Sequence, residues 1–286
     1  MSNNTNNIIA FMGVSGANAD LACRQAEPYM ETLALPSFED VFEAVMTGKA
    51  KLGMIPIENS QAGRVAEIHN ILPRMDVHVV GEYIQPIEHC LVAPKGASVE
   101  GVKDIYSHPQ ALLQCRDNLR AHGAATHPYS NTAQAAKDIA EWNDPTKAAL
   151  ASKLAAELYG LDVIKEHMQD VDDNTTVFVI ISKEAHQPDD KEAHVLTSVM
   201  FQARNIPGAL YKALGGFATN GVNILKLESY IPGGRAASTN ASSQFFLTFE
   251  GNPDQANVQQ ALEELGFFSN KIRVLGVYTA DESRYG

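Results

Sequence analysis

The chain has 286 residues, a formal net charge of −12 and 45% hydrophobic residues. That length exceeds what one compact core usually holds, so two domains are expected, with apolar residues enough for both. The acidic balance, with no cluster of Lys or Arg, excludes a phosphate-backbone partner and points to a small molecule instead of nucleic acid.

Short apolar runs alternate with helical patterns along the front of the chain. Residues 8–12 read as a strand, 20–29 as a helix, 38–47 as a helix stopped by Gly48, and 52–57 as a strand. Ser37 with Asp40 three residues on is an N-cap signature for the second of these helices. A helix through 65–72 follows Gly63. Strands are expected at 77–84 and 89–93, helices at 109–121, 132–142 and 152–159, and a strand at 177–182. This rhythm of strand, helix and strand implies an α/β sheet. Residues 183–192, KEAHQPDDKE, carry no periodic apolar positions and read as a linker between domains. Beyond it come a strand at 195–203, a helix at 208–219, strands at 222–231 and 244–250, a helix at 256–265 and a strand at 272–278. The order βαββαβ is the ferredoxin-like pattern, with a flexible hairpin loop expected at 232–243.

No apolar run reaches the ~18 residues of a membrane helix, and the polar stretch 1–7 does not read as a targeting signal. Cys23, Cys90 and Cys115 are odd in number and widely spaced, which fits a reducing compartment, so a cytoplasmic protein is expected. The nine histidines scatter without the close spacings of zinc sites, and no metal is expected.

Four segments place small or amide-bearing residues where strands give way to helices, the positions that line clefts in α/β folds. The first is Gly13-Val14-Ser15-Gly16-Ala17-Asn18, where glycines let backbone N–H groups approach an anion at a helix start; taken alone, an ordinary strand-to-helix turn is the commoner explanation. In the second, Ile55-Pro56-Ile57-Glu58-Asn59-Ser60, an amide, a hydroxyl and free backbone donors are available to a carboxylate, unless Asn59 or Ser60 merely caps the next helix. Arg64, early in that helix, would add a cation or stand exposed. The third is Ser107-His108-Pro109-Gln110-Ala111-Leu112-Leu113-Gln114-Cys115. Here Pro109 begins a helix, Ser107 is placed to cap it, and Gln110 and Gln114 share one face. The fourth, Asp172-Asp173-Asn174-Thr175-Thr176-Val177-Phe178, delivers Thr176 to the head of an apolar strand, where threonine is also common for structural reasons.

In order and at these separations, the four segments resemble the prephenate dehydratase family. Its pattern is a Gly-rich opening loop, an Ile-Pro-Glu-Asn-Ser-like segment, a Ser-His-Pro-Gln-Ala-Leu-x-Gln-Cys segment and an Asn-x-Thr-Arg-Phe segment. The C-terminal part resembles an ACT domain, in which Asn205-Ile206-Pro207-Gly208-Ala209-Leu210 and Lys226-Leu227-Glu228-Ser229 match two phenylalanine-binding motifs. The likeness runs from 8 to about 278.

The resemblance implies an α/β fold: a two-lobed catalytic domain like a type II periplasmic binding protein at 1–185, its second lobe at about 82–162, then a ferredoxin-like ACT domain at 194–280. It implies a lyase that takes prephenate to phenylpyruvate with loss of water and carbon dioxide, without cofactor, regulated by L-phenylalanine, in a homodimer or homotetramer. Thr176 falls on the family's acid, and Asn59, Ser60, Ser107 and Gln114 on its other contributors. Gly16, Ala17, Asn18, Arg64, Asn174 and Phe178 fall at the substrate, and Asn205, Gly208, Ala209, Leu210, Glu228 and Ser229 at the effector. Val177 stands where the family has Arg, Ala19 where it has Ser or Thr, and Tyr230-Ile231 where it has Arg-Pro. The departures at Val177 and Ala19 keep open a catalytically impaired aromatic-amino-acid-sensing protein, and arogenate stands as an alternative substrate of the same lyase.

Overall fold

The computed structural model describes residues 7–188, 194–230 and 243–286. In chain order the elements are β1 (Ile8–Met12), α1 (Asn18–Ala26), β2 (Glu31–Leu35), α2 (Phe38–Met46), β3 (Leu52–Asn59), β4 (Gly63–Arg64), α3 (Ala66–Ile71), β5 (His78–Pro86), β6 (Cys90–Ala93), β7 (Asp104–Ser107), α4 (Pro109–Gln114), α5 (Arg116–His122), β8 (Ala125–Pro128), α6 (Thr132–Trp142), β9 (Lys147–Ala151), α7 (Lys153–Tyr159), β10 (Asp162–Lys165), β11 (Thr175–Ser182), β12 (Val195–Ala203), α8 (Ala209–Thr219), β13 (Ile224–Tyr230), β14 (Gln244–Glu250), α9 (Ala256–Phe267) and β15 (Ser269–Thr279). They form two compact units, Met1–Arg64 with Ile84–Phe178 and Val65–Tyr83 with Val179–Gly286. The linker residues 189–192, and all of the expected loop 232–243 except Ser243, lie outside the described residues.

The first unit has two lobes. In one, β1 runs parallel to both β2 and β3, with Phe11 opposite Ala34 and Met54, and the head of β11 lies beside β3. Ile9, Ala10 and Phe11 are wholly buried, as expected of a central parallel strand with helices on both faces. Helix α2 starts where Ser37 Oγ accepts the Asp40 N–H at 3.1 Å and stops at Gly48, whose φ of 76° is left-handed. It buries Val41, Phe42 and Val45, and truncating Phe42 to alanine costs about 3–5 kcal/mol. The other lobe is a five-stranded sheet in the order β10-β6-β9-β7-β8.

Several expectations change here. Strands β2, β4, β7, β8, β9 and β10 are additional to the elements expected. The helix expected at 109–121 is two helices, broken at Cys115, where φ is −114° and ψ 16°. Its cap is His108, whose ring accepts the Gln110 N–H, because Ser107 is fully buried and donates instead to Leu150 O at 2.7 Å. Arg64 precedes its helix: it sits in β4, paired with Glu58. The cap of α3 is Val65, without a side-chain bond, so neither Asn59 nor Ser60 performs that task.

In the second unit, β12, α8, β13, β14, α9 and β15 realise the βαββαβ order, with an antiparallel sheet β13-β14-β12-β15. Met200 stands between Phe246 and Arg273 in the ladder. Both helices cover one face, where Ala213, Phe217, Val258 and Leu265 meet Val199, Phe201 and Phe249. The sheet also gains β5 in parallel to β15, Gly276 opposite Val79. A Cβ on Gly276 would lie 1.9 Å from the Val79 carbonyl oxygen, so only glycine permits this approach. Arg273 then donates to the carbonyls of Pro73, Met75 and Val77 at 2.8, 2.6 and 3.2 Å, fastening the 65–83 segment to the unit.

Candidate functional site

The strand ends of the first unit open onto a cavity of about 360 Å³. One lobe contributes Met12, Ala17, Asn18, Asn59 and Thr176; the other contributes His89, His108, Gln110, Gln114, Asn131 and Thr132 among others. The residues lining it include neither Lys nor Arg, and neither Asp nor Glu. Helices α1 and α6 both begin at the cavity, with nine and eleven residues behind them, so their positive ends point where fixed cations are missing. The start of α1, at Ala17, has no side-chain cap, which leaves its first amides for a ligand. Asn131 caps α6 by accepting from Ala133 N at 2.8 Å and Gln134 N at 3.4 Å.

Asn59 is the most tightly held side chain of the site. Its Oδ1 accepts from Gln61 N and Ala62 N at 3.1 and 2.9 Å, an Asx turn that closes the β3 to β4 hairpin. Its Nδ2 is shared among Asn174 Oδ1 at 2.8 Å, Thr175 O at 3.0 Å and Thr176 Oγ1 at 3.0 Å. Thr176 therefore has an N–H donor held against its oxygen, and among the described residues its own hydroxyl donates to no protein group. A donor in that position would stabilise the oxygen of a hydroxyl that gives up its proton.

Ser60 acts beside this pair. Its backbone N–H donates to Thr175 O at 2.9 Å, its hydroxyl donates to Asp173 O and accepts from Thr175 N, both at 3.0 Å, and the strand end is locked to the polar turn. Asn174 is buried, and its backbone oxygen accepts from Ile87 N at 2.7 Å. Neither residue lines the cavity, nor do Ser107, Phe178 and Arg64. Phe178 is buried in the strand that carries Thr176.

Gly16 does not line the cavity. Its N–H donates to the Asp20 carboxylate at 2.8 Å, so the anion it serves is the protein's own, paired in turn with Arg24 at 3.0 Å. Its other role is a close approach between lobes: Ser152 Oγ donates to its carbonyl at 2.7 Å, and a Cβ would lie 2.9 Å from Ala155 Cα. Ala17 and Asn18 do face the cavity.

Sequence reasoning missed His89, which is 3% exposed at the entry to β6. Burial lowers its affinity for a proton, and its Nε2 lies 2.9 Å from Gln114 Oε1. The one available signal was a histidine just ahead of a wholly apolar buried strand. Asn131 was missed too, although an Asn-Thr pair opening an Ala-rich helix is an N-cap signature.

In the second unit, Asn205, Gly208, Ala209 and Leu210 line a separate pocket together with Tyr211 and Phe245. Gly208 takes φ 72° at the start of α8. Glu228 does not reach it: its carboxylate lies 2.8 Å from His69 Nε2 and 3.2 Å from Lys226 Nζ. Burial alone would raise the Glu228 pKa, but His69 and Lys226 outweigh it and hold the carboxyl down to about 2.

A family model described as prephenate dehydratase matches residues 9–186. A bifunctional N-acyl-homoserine lactone acylase/prephenate dehydratase of Komagataeibacter europaeus is 42% identical, over 98% of this chain and 99% of its own. Arogenate dehydratase/prephenate dehydratase 2 of Arabidopsis thaliana is 34% identical, over 98% of this chain and 75% of that protein. Among solved structures, the prephenate dehydratase of Arthrobacter aurescens in complex with L-Phe superposes with a TM-score of 0.84 at 29% identity, covering 95% of this chain and 89% of that one. The fold is therefore the α/β one expected, a periplasmic-binding-protein-like part followed by a ferredoxin-like domain, and the chain belongs to the prephenate dehydratase family.

Proposed function

We propose that the chain is a lyase that converts prephenate to phenylpyruvate, acting in the cytoplasm as a homodimer or homotetramer restrained by L-phenylalanine. The observation that carries this reading is the bond from Asn59 Nδ2 to Thr176 Oγ1, 3.0 Å long, at the wall of the cavity. In the reaction the ring carboxylate leaves as carbon dioxide and its bonding pair moves into the ring. The ring C–O bond breaks, the departing oxygen takes the Thr176 proton and leaves as water, and the threonine alkoxide, held by Asn59, regains a proton from solvent. Aromaticity drives the step, so positioning and one proton donor suffice. The uncapped start of α1 and the amides of Gln110 and Gln114 suit the two carboxylates of such a substrate.

A second substrate belongs beside the first, because the lining holds neither a cation nor a carboxylate that would tell a keto from an amino side chain. Arogenate would then yield phenylalanine directly. Purified protein given prephenate, arogenate or an N-acyl-homoserine lactone, with products followed by mass spectrometry, tests the assignment. Turnover of prephenate is expected, and binding without turnover of any of the three would leave a sensing protein.

The pocket beside Gly208 supports the effector role by its form: a helix start with an apolar floor at Phe245 suits an aromatic amino acid. Valine at 208 would be strained at φ 72°, and Gly208→Val should abolish phenylalanine binding in calorimetry.

A further inference from the structure

We infer that His89 is a positioning residue for Gln114: it holds the carboxamide oxygen, so that the Gln114 amino group faces the cleft as a donor to a substrate carboxylate. The inference rests on the dehydratase reading of the cleft and adds to it a residue that decides what the cleft offers its ligand.

The geometry begins with the backbone. His89 N donates to Gln169 Oε1 at 3.1 Å and His89 O accepts from Met168 N at 2.8 Å. The next amide of the same segment, Asp170 N, donates to Gln114 O at 2.8 Å. One stretch of chain thus sets the heights of both side chains, and His89 Nε2 meets Gln114 Oε1 at 2.9 Å. The Gln114 amide nitrogen makes no hydrogen bond to the protein among the described residues, although Gln114 lines the cavity.

A neutral imidazole and a carboxamide can pair in two ways. With the proton on Nε2, the ring donates to the Gln114 oxygen and the amino group turns to the cleft. With the proton on Nδ1, the amide would donate to the ring and its carbonyl oxygen would face the ligand, opposing any carboxylate. The placement of Gln114 Oε1 against His89 Nε2 at 2.9 Å fits the first state, which would match an anionic substrate. It also accounts for a buried histidine beside a cleft with no charged side chain of its own: the ring sets polarity through its neighbour without bringing a charge.

Nitrogen-15 NMR of histidine-labelled, unliganded protein should find Nε2 protonated and Nδ1 bare at neutral pH; the reverse tautomer overturns the inference. In kinetics, His89→Leu should raise KM roughly 10- to 100-fold, the range for losing a hydrogen bond to a charged group, with a smaller change in kcat. His89→Gln places an amide nitrogen near the former Nε2 and should recover most of that loss. The double variant His89→Leu/Gln114→Ala should be no worse than Gln114→Ala alone, because one residue acts through the other. Additive losses, or a His89→Gln protein as defective as His89→Leu, would show that His89 serves the fold only. Should wild type turn over neither prephenate nor arogenate, the dehydratase reading fails, while the tautomer still decides the orientation of Gln114.

Discussion

Replacing Thr176 by valine separates the chemistry of the cleft from its architecture. Valine keeps the size and β-branching of threonine, so no cavity opens and the strand preference of β11 is unchanged. What is lost is the acceptor for one Asn59 bond, and Asn59 keeps Asn174 Oδ1 at 2.8 Å and Thr175 O at 3.0 Å. A single such bond contributes about 0.5–1.5 kcal/mol, which lowers Tm by a few degrees at most in a chain of this size. The catalytic loss is larger. Proton donation by a positioned side chain accelerates a reaction ~10²- to 10⁴-fold, about 2.7–5.5 kcal/mol of barrier. Thr176→Val should therefore cut kcat by two to four orders of magnitude with KM nearly unchanged, since only the transition state loses the interaction. Phenylpyruvate absorbance and release of labelled carbon dioxide measure the rate, and thermal unfolding measures the fold. Thr176→Ser, which keeps the hydroxyl, should retain part of the rate. A folded Thr176→Val protein with kcat within about threefold of wild type would refute the assignment of the acid.

Three further substitutions probe the surroundings. Gly16→Ala forces a side chain into φ 85° and brings its Cβ within 2.9 Å of Ala155 Cα; the left-handed strain alone costs about 1–2 kcal/mol, so Tm should fall by several degrees, and an unchanged Tm would contradict this close packing. Val177→Arg should alter KM by less than about twofold, because neither Val177 nor Arg64 lines the cavity and strand alternation turns residue 177 away from the face that carries Thr176; a tenfold fall in KM for prephenate would show that a cation there reaches the substrate. Glu228→Gln tests the pairing with His69 through pH. The folded pKa of about 2 lies below the ordinary value near ~4.3, so the stability contributed by Glu228 is complete above ~4.3 and is lost as pH falls toward 2. Wild type and variant Tm should differ at pH 7 and converge near pH 2, and parallel curves would exclude a Glu228 carboxylate held below its ordinary range.

Much of the fold was legible because local chemistry and tertiary packing agreed. The Ser37 cap and the Gly48 stop bracket α2 as read, and β1, β12, β14 and α6 fall on the expected residues. The missed elements share a cause. Strand β9 is Lys-Ala-Ala-Leu-Ala, a helix-favouring composition made into a strand by its place between β6 and β7, where Ala148 to Leu150 are wholly buried. Strand β2, Glu-Thr-Leu-Ala-Leu, is a half-buried edge that pairs only with β1 among the described residues, and it lacks the continuous β-branched or aromatic run that marks a strand. The break at Cys115 carries neither Gly nor Pro. The first amides of α5, Asp117 N and Asn118 N, are instead satisfied by the Asp170 carboxylate at 3.0 to 3.2 Å, a cap supplied from far along the chain. No local pattern announces it.

The site divides along the same line. Asn59, Gln114 and Thr176 stood out because each lies at a strand end or helix face whose neighbours are small or amide-bearing, and all three reach the cavity. Ser60, Ser107 and Asn174 were equally visible, yet their polar atoms turn to the protein: Ser60 donates to Asp173 O, Ser107 donates to Leu150 O, and Asn174 Oδ1 accepts from the Asn59 side-chain amide. A motif of polar residues thus mixes groups that meet a ligand with groups that hold those in place, and composition cannot separate them. His89 shows the converse. It lies outside every polar segment, and what makes it part of the site is one bond to Gln114, closed only when Met168 to Asp170 fold back over both residues. In the proposed reading, acidity at Thr176 would depend on Asn59 and polarity at Gln114 on His89, each a neighbour distant in sequence and 2.9 to 3.0 Å away in space.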